Sequence, residues 1–257
     1  MIHTFLIILG VLVSGCIPGT SKVLINENDS WESFNYPEIN FVNKASETTG
    51  SVIYNRIVPN PEALIRESIL GVVKTLYWSP SDSIPDVRVI NYTIEDVDGV
   101  SAKSGSVPEI SIFYSSRWVE QAAKDGDERV LHETEGVLYH ELVHGFQLEP
   151  QGIGSYGNNR IFFAFIEGMA DAVRARNGYF PLSNRRTGGH WLDGYQTTGF
   201  FLEWLTAKDD DFIRKFNRTA LEVIPWSFDS AIKEVLGQEY SIDEHWDEYQ
   251  TFLKSRK

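Results

Sequence analysis

His140-Glu141-Leu142-Val143-His144 is the stretch of this sequence whose residue types and spacing point directly at chemistry. On a helix, histidines four positions apart share a face, with Cβ atoms about 5–6 Å apart. At that separation two imidazoles can grip one zinc ion, and Glu141 beside them is placed to take a proton from water on that ion. In a chain with six histidines the pattern is expected by chance only about 0.01 times, so it is specific. Val130, Leu131, Val137, Leu138 and Val143 would give this helix an apolar side to bury.

Two imidazoles leave a tetrahedral catalytic zinc one protein ligand short, with the fourth position kept for water. The candidate lies in Ile166-Glu167-Gly168-Met169-Ala170-Asp171, far enough beyond His144 for a loop and a helix to return. Glu167 is the expected third ligand. Asp171, four residues on and on the same face, would accept the free ring N–H of a zinc histidine and fix its tautomer. The converse, Asp171 as ligand and Glu167 as structural partner, stays open, since zinc accepts either carboxylate. Gly168 and Ala170 are small and would let the helix approach closely. A third histidine in the His-Glu-x-x-His-x-x-Gly-x-x-His arrangement is excluded, because the required positions hold Gln147 and Pro150.

The elements that must position these residues can be traced along the chain. Strands are expected at 39–42, 51–58, 87–94 and 110–114, with a turn-rich loop at 96–105. Asn60-Pro61 starts a helix carrying Ile65, Ile69, Val72, Val73 and Leu76 on one side. From Ser115 onward the pattern is helical. Asp125 or Asp127 should cap a helix running to Gln147. The next helix, from Arg160 to Asn177, carries Phe162, Phe165, Ile166, Met169 and Val173, with Gly178 as its terminating glycine. Further helices are expected at 194–206, 209–222, 226–236 and 241–255, with Asp209-Asp210-Asp211 at the start of one. The fold class is therefore α+β: an N-terminal mixed α/β layer with a small sheet, packed on a mainly helical C-terminal half.

Three blocks together resemble a known family: Gly136-Val-Leu-Tyr-His-Glu-Leu-Val-His-Gly-Phe-Gln147, Ile166-Glu-Gly-Met-Ala-Asp-Ala-Val-Arg174 and Gly194-Tyr-Gln-Thr-Thr-Gly-Phe-Phe-Leu-Glu-Trp204. They are similar to the basic secretory protein family, zinc metallopeptidases of plants, fungi and bacteria. The resemblance covers roughly residues 38–255. It implies a zincin-like fold and a gluzincin-like metallopeptidase with His140, His144 and Glu167 as ligands of one zinc ion, Glu141 catalytic, and a peptide or protein substrate. The chain departs from the family in being acidic, and in having Thr198-Gly199-Phe200-Phe201 where the family has Thr-Ala-Arg-Phe.

In the expected chemistry, zinc lowers the pKa of its water and polarises the scissile carbonyl, while Glu141 takes the water's proton and returns it to the leaving amine. A further donor is needed for the developing oxyanion. Tyr195, which starts a helix downstream of the ligands, is the candidate, with His190 second; Tyr195 could equally be a packing residue. By analogy with gluzincin folds, the strand at 110–114 would form the cleft edge and pair with an extended peptide. The Gly-rich segment Gly152-Ile-Gly-Ser-Tyr-Gly157 follows a helix, so it reads as a flexible cleft loop and not as a dinucleotide site. Arg185-Arg186 reads as a solvated pair. His132 and His245 read as histidines without a ligand role.

The net charge of −13, from 23 basic and 36 acidic residues, opposes binding to nucleic acid. The apolar run at 2–13 has the length of a secretory signal and ends at Ser14-Gly15-Cys16, the chain's one cysteine. Small residues before a lone cysteine resemble a bacterial lipobox, which implies cleavage before Cys16 and lipidation of its thiol. An ordinary secretory signal cleaved at the same place is the alternative. Both export the protein, as an envelope lipoprotein in a bacterium or as a secreted protein otherwise, and membrane contact is expected only through the anchor. The expected organisation is a signal at 1–15, a flexible tether at 16–37 and a catalytic domain at 38–257. A non-catalytic, zinc-containing module that binds cell-surface or wall material is the main rival, and hydrolysis of some other bond a third reading. Glu141 beside an open metal position argues against a purely structural ion.

Overall fold

The structure, a computed structural model, describes residues 31–239 and 241–256. The expected signal, Cys16 and most of the expected tether lie outside the described residues. Four strands, β1 (Glu38–Asn43), β2 (Val89–Glu95), β3 (Ser101–Ser106) and β4 (Glu109–Ser115), form one sheet in the order β1-β2-β4-β3. β1, β2 and β4 are parallel, and β3 returns antiparallel to β4 at the edge. Alternation decides which side faces the core. Ile90, Tyr92 and Ile94 of β2 lie opposite Ile110, Ile112 and Tyr114 of β4, and all six are buried.

Nine α-helices occur among the described residues: α1 (Thr49–Ile57), α2 (Pro61–Leu76), α3 (Ser116–Ala122), α4 (Asp127–Phe146), α5 (Arg160–Arg176), α6 (Tyr195–Leu205), α7 (Phe212–Glu222), α8 (Phe228–Leu236) and α9 (Ile242–Ser255). The class is α+β, a small mixed sheet in the N-terminal half and a helical C-terminal half. α2 starts as its sequence specifies. Asn60 Oδ1 accepts from the Ala63 N–H, Pro61 takes the first helical position, and Ile65, Ile69, Val72, Val73 and Leu76 are buried, with α4 packed alongside. In the C-terminal half an aromatic cluster does the packing: Phe165, Phe216, Trp226 and Phe228 meet with ring centroids 4.8–5.8 Å apart.

Several local expectations are corrected. Residues 51–58 are not a strand; 51–57 lie in α1 and Val58 is its C-cap. Thr48 accepts from the Ser51 N–H as an N-cap, and burial falls on Gly50, Ser51 and Tyr54, a helical spacing that the β-branched neighbours Val52 and Ile53 obscure. The loop expected at 96–105 contains β3, whose Ser-Ala-Lys-Ser-Gly-Ser sequence has no apolar alternation because an edge strand here buries almost nothing. α4 begins after Gly126, whose φ of 102° only glycine adopts readily, so neither Asp125 nor Asp127 is the cap. Leu131 of α4 faces outward, and Glu133 and Thr134 are buried instead. Trp31, from the segment expected to be a tether, packs into the core. No helix among the described residues is long and apolar enough to cross a membrane.

Candidate metal centre and cleft

α4 brings His140, Glu141 and His144 to one face, and α5 brings Glu167 opposite them. α4 is fixed by its apolar side and at its end, where the Tyr77 hydroxyl donates to the Phe146 carbonyl at 2.5 Å. α5 is capped by Asn159, which accepts from the Ile161 and Phe162 N–H groups, and nearly its whole length is buried. α6 packs unusually close to α5. A Cβ on Gly168 would sit 2.5 Å from Thr198 Cγ2, and one on Gly199 would sit 2.7 Å from Asp171 Cβ. Gly168 therefore serves the contact with α6. Gly136 serves the α4–α5 face, where the Arg174 guanidinium lies against it.

Three ligand atoms converge. His140 Nε2 and His144 Nε2 are 3.1 Å apart, and Glu167 Oε2 lies 3.3 Å from the first and 3.6 Å from the second. Glu167 Oε2 is buried and without a hydrogen-bond partner. Tetrahedral zinc, with ligand bonds of 2.0–2.1 Å, sets its ligand atoms about 3.3 Å apart. The triangle therefore has the size a zinc ion requires, and these three residues form a group that could hold a metal ion. A lone buried oxygen facing two imidazole nitrogens is a donor set suited to a cation.

The far side of each ring is also engaged. Asp171 Oδ1 lies 2.7 Å from His140 Nδ1, so it meets the nitrogen opposite the one in the triangle. Behind Asp171, Arg174 is buried against Glu133, which also pairs with Arg129 at 2.6 Å. Without a metal, burial opposes charge on His140, but the adjacent carboxylates of Asp171 and Glu167 outweigh it and lift its pKa to about 10. His144 is pushed down by burial and then by the neighbouring His140 cation. Burial raises the Glu141 carboxyl, with His140, the Ser101 hydroxyl and the Lys103 N–H drawing it back. Glu141 thus faces the edge strand β3.

Two tyrosines complete the surroundings. Tyr195 is the first residue of α6, held at φ 44° in the left-handed region, and half exposed. Its ring lies nearly parallel to His140 at 6.1 Å. Thr198 ties this turn down, accepting from the Gly194 N–H at 2.7 Å and donating to the Trp191 carbonyl at 2.8 Å. Tyr156 hangs from the Gly-rich loop and donates its hydroxyl to Glu167 Oε1 at 2.6 Å. Burial and then the Glu167 carboxylate raise its pKa.

The cluster sits where two depressions meet. One, of about 340 Å³, is lined by Lys103, Gln147, Phe162 and Ile166; the other, of about 610 Å³, by Val100, Val137, Phe180 and Thr197. Ser101, His140, Glu141 and Tyr195 line both. The strand at the cleft is β3 and not the expected 110–114. β4 is enclosed between β2 and β3, so its backbone groups are already paired. His190 is not among the residues lining this cleft; its Nδ1 accepts from the Leu192 N–H and its ring packs on Trp191. Arg185 is not solvated; it is buried in an ion pair with Glu203. Tyr156 and Gln147 went unread as site residues in the sequence. For Tyr156 the loop was legible as part of the cleft, but the direction of one side chain on it was not.

Two histidines and a glutamate thus converge from neighbouring helices of an α+β protein on a site that could hold a metal ion, with a second glutamate beside them against a strand edge. The chain belongs to the family described as "Peptidase of plants and bacteria", whose model matches residues 37–249. No curated protein and no solved structure matches it.

Proposed function

We propose that this protein is an exported zinc metallopeptidase that hydrolyses peptide bonds. The observation that carries the reading is the triangle of His140 Nε2, His144 Nε2 and Glu167 Oε2, with Glu141 beside it against an open strand edge. Those three residues would hold the zinc. When bound, zinc lowers the pKa of a coordinated water toward neutrality and polarises the scissile carbonyl.

The chain's own residues supply the rest. Glu141 takes a proton from the attacking water and returns it to the leaving amine; its buried position, which raises its proton affinity, favours the first of these transfers. Asp171 keeps the His140 proton on Nδ1, leaving Nε2 as a lone pair. Tyr195, whose ring stacks on His140 at the cleft, would donate to the carbonyl oxygen as it gains charge, while Tyr156 spends its one O–H on Glu167 and steadies that ligand. β3 is the edge strand of the sheet, along which an extended peptide would add as a further strand. The cleft continues on both sides of the cluster, which suits cleavage within a chain. For export, the apolar run at 2–13 followed by Ser14-Gly15-Cys16 supports cleavage before Cys16 and attachment of a lipid to its thiol.

The test uses the zinc-loaded chain on a peptide library. The wild type is expected to cleave, and Glu141→Gln to keep its zinc while losing about 10²–10⁴-fold in rate, the worth of a general base. An inert wild type with zinc bound overturns the peptidase reading, and an active Glu141→Gln overturns the assignment of the base.

A further inference from the structure

Gln147 closes α4. It is the C-cap, its N–H donates to the Val143 carbonyl at 2.7 Å, and its side chain folds back beneath the cluster, buried. Its Nε2 lies 3.0 Å from His144 Nδ1 and 3.3 Å from the Ile166 carbonyl oxygen on α5. Its Oε1 is buried and has no partner. Two of these facts conflict with a metal-binding His144. A neutral imidazole that offers Nε2 to a cation carries its proton on Nδ1, and that N–H needs an acceptor. Here Nδ1 faces an amide nitrogen, a donor, while the acceptor on the same side chain stands idle.

An amide is the one side-chain group that exchanges donor for acceptor by a half-turn. Resting on the metallopeptidase reading above, we infer that Gln147 is a positioning residue for His144, whose amide turns over when the cation binds. Before binding, Nε2 ties α4 to the Ile166 carbonyl. After binding, the amide gives up the Ile166 contact and Oε1 accepts from His144 Nδ1–H, which offsets that loss, fixes the metal-competent tautomer and aims Nε2 into the triangle. His140 is served by Asp171, and Gln147 plays the same part for His144 with an uncharged group. The carboxylate is constitutive, whereas the amide serves two partners in turn.

Zinc affinity, measured by competition with a chromogenic chelator, tests this on the wild type, Gln147→Met and Gln147→Glu. Gln147→Met keeps the bulk and removes the acceptor, so it is expected to bind zinc 10–100-fold more weakly. Gln147→Glu keeps an acceptor at Nδ1 and repels the Ile166 carbonyl. It is expected to hold zinc at least as tightly as the wild type while melting earlier without metal. In ¹⁵N-labelled zinc-loaded protein, the His144 Nδ1–H resonance should be protected from exchange in the wild type and Gln147→Glu, and not in Gln147→Met. Equal affinity in Gln147→Met and wild type, or a Gln147→Glu that loses zinc affinity along with stability, overturns the inference. A wild type that binds no zinc is a separate result and overturns the metallopeptidase reading itself.

Discussion

His140 is gripped on both nitrogens, Nδ1 by Asp171 at 2.7 Å and Nε2 by Glu167 at 3.3 Å. The two carboxylates therefore have different work, and substitution should separate them. Glu167→Ala removes an atom of the triangle and is expected to abolish tight zinc binding. Asp171→Ala leaves the triangle whole, so zinc should bind with 10–100-fold lower affinity, read by chelator competition. The reverse ranking would make Asp171 the ligand. The tyrosines are separable too. If Tyr195 donates to the oxyanion, Tyr195→Phe should lower kcat by up to about 10²–10³-fold with little change in KM, whereas Tyr156→Phe, which removes the bond to Glu167, should weaken zinc binding. A packing role for Tyr195 would instead show as lost stability with kcat kept, as seen by melting and steady-state kinetics together.

Among the elements, α5 and α6 form the contact on which the site depends. Gly199 lets α6 lie against Asp171, and Thr198 fixes the turn that presents Tyr195. A side chain at Gly199 has no room. Gly199→Val is expected to cost about 1–3 kcal/mol in urea unfolding, the usual penalty for overpacking. It should also weaken zinc binding, because Asp171 is the first group displaced. β3 makes the complementary point. Its sequence carries no strand pattern, yet it is the strand that borders the cleft, because it pairs with β4 on one side and leaves its other edge open.

For the molecule as a whole, the site is assembled only by folding. His140 and His144 are close in any helix, but Glu167 reaches them only when α5 docks on α4. A ligand that binds the folded chain alone stabilises it by mass action. Zinc at about 100-fold its Kd should add about 2.7 kcal/mol, seen as a raised melting temperature that a chelator reverses. His144→Ala should show no such gain.

What the sequence determined by itself was whatever depends on local spacing. The i, i+4 histidines share a helical face by geometry, Asn60-Pro61 starts α2 by its own hydrogen bonding, and the apolar stripes of α2 and α5 mark their buried sides. The tertiary structure alone decided which nitrogen of His140 meets Glu167 and which meets Asp171. It likewise decided that β3 and not β4 edges the cleft, that His190 packs on Trp191, and that Tyr156 and Gln147 reach the cluster. Those facts depend on the direction of side chains and on strand order, both set by contacts between residues distant in sequence, which no local pattern of residue types encodes.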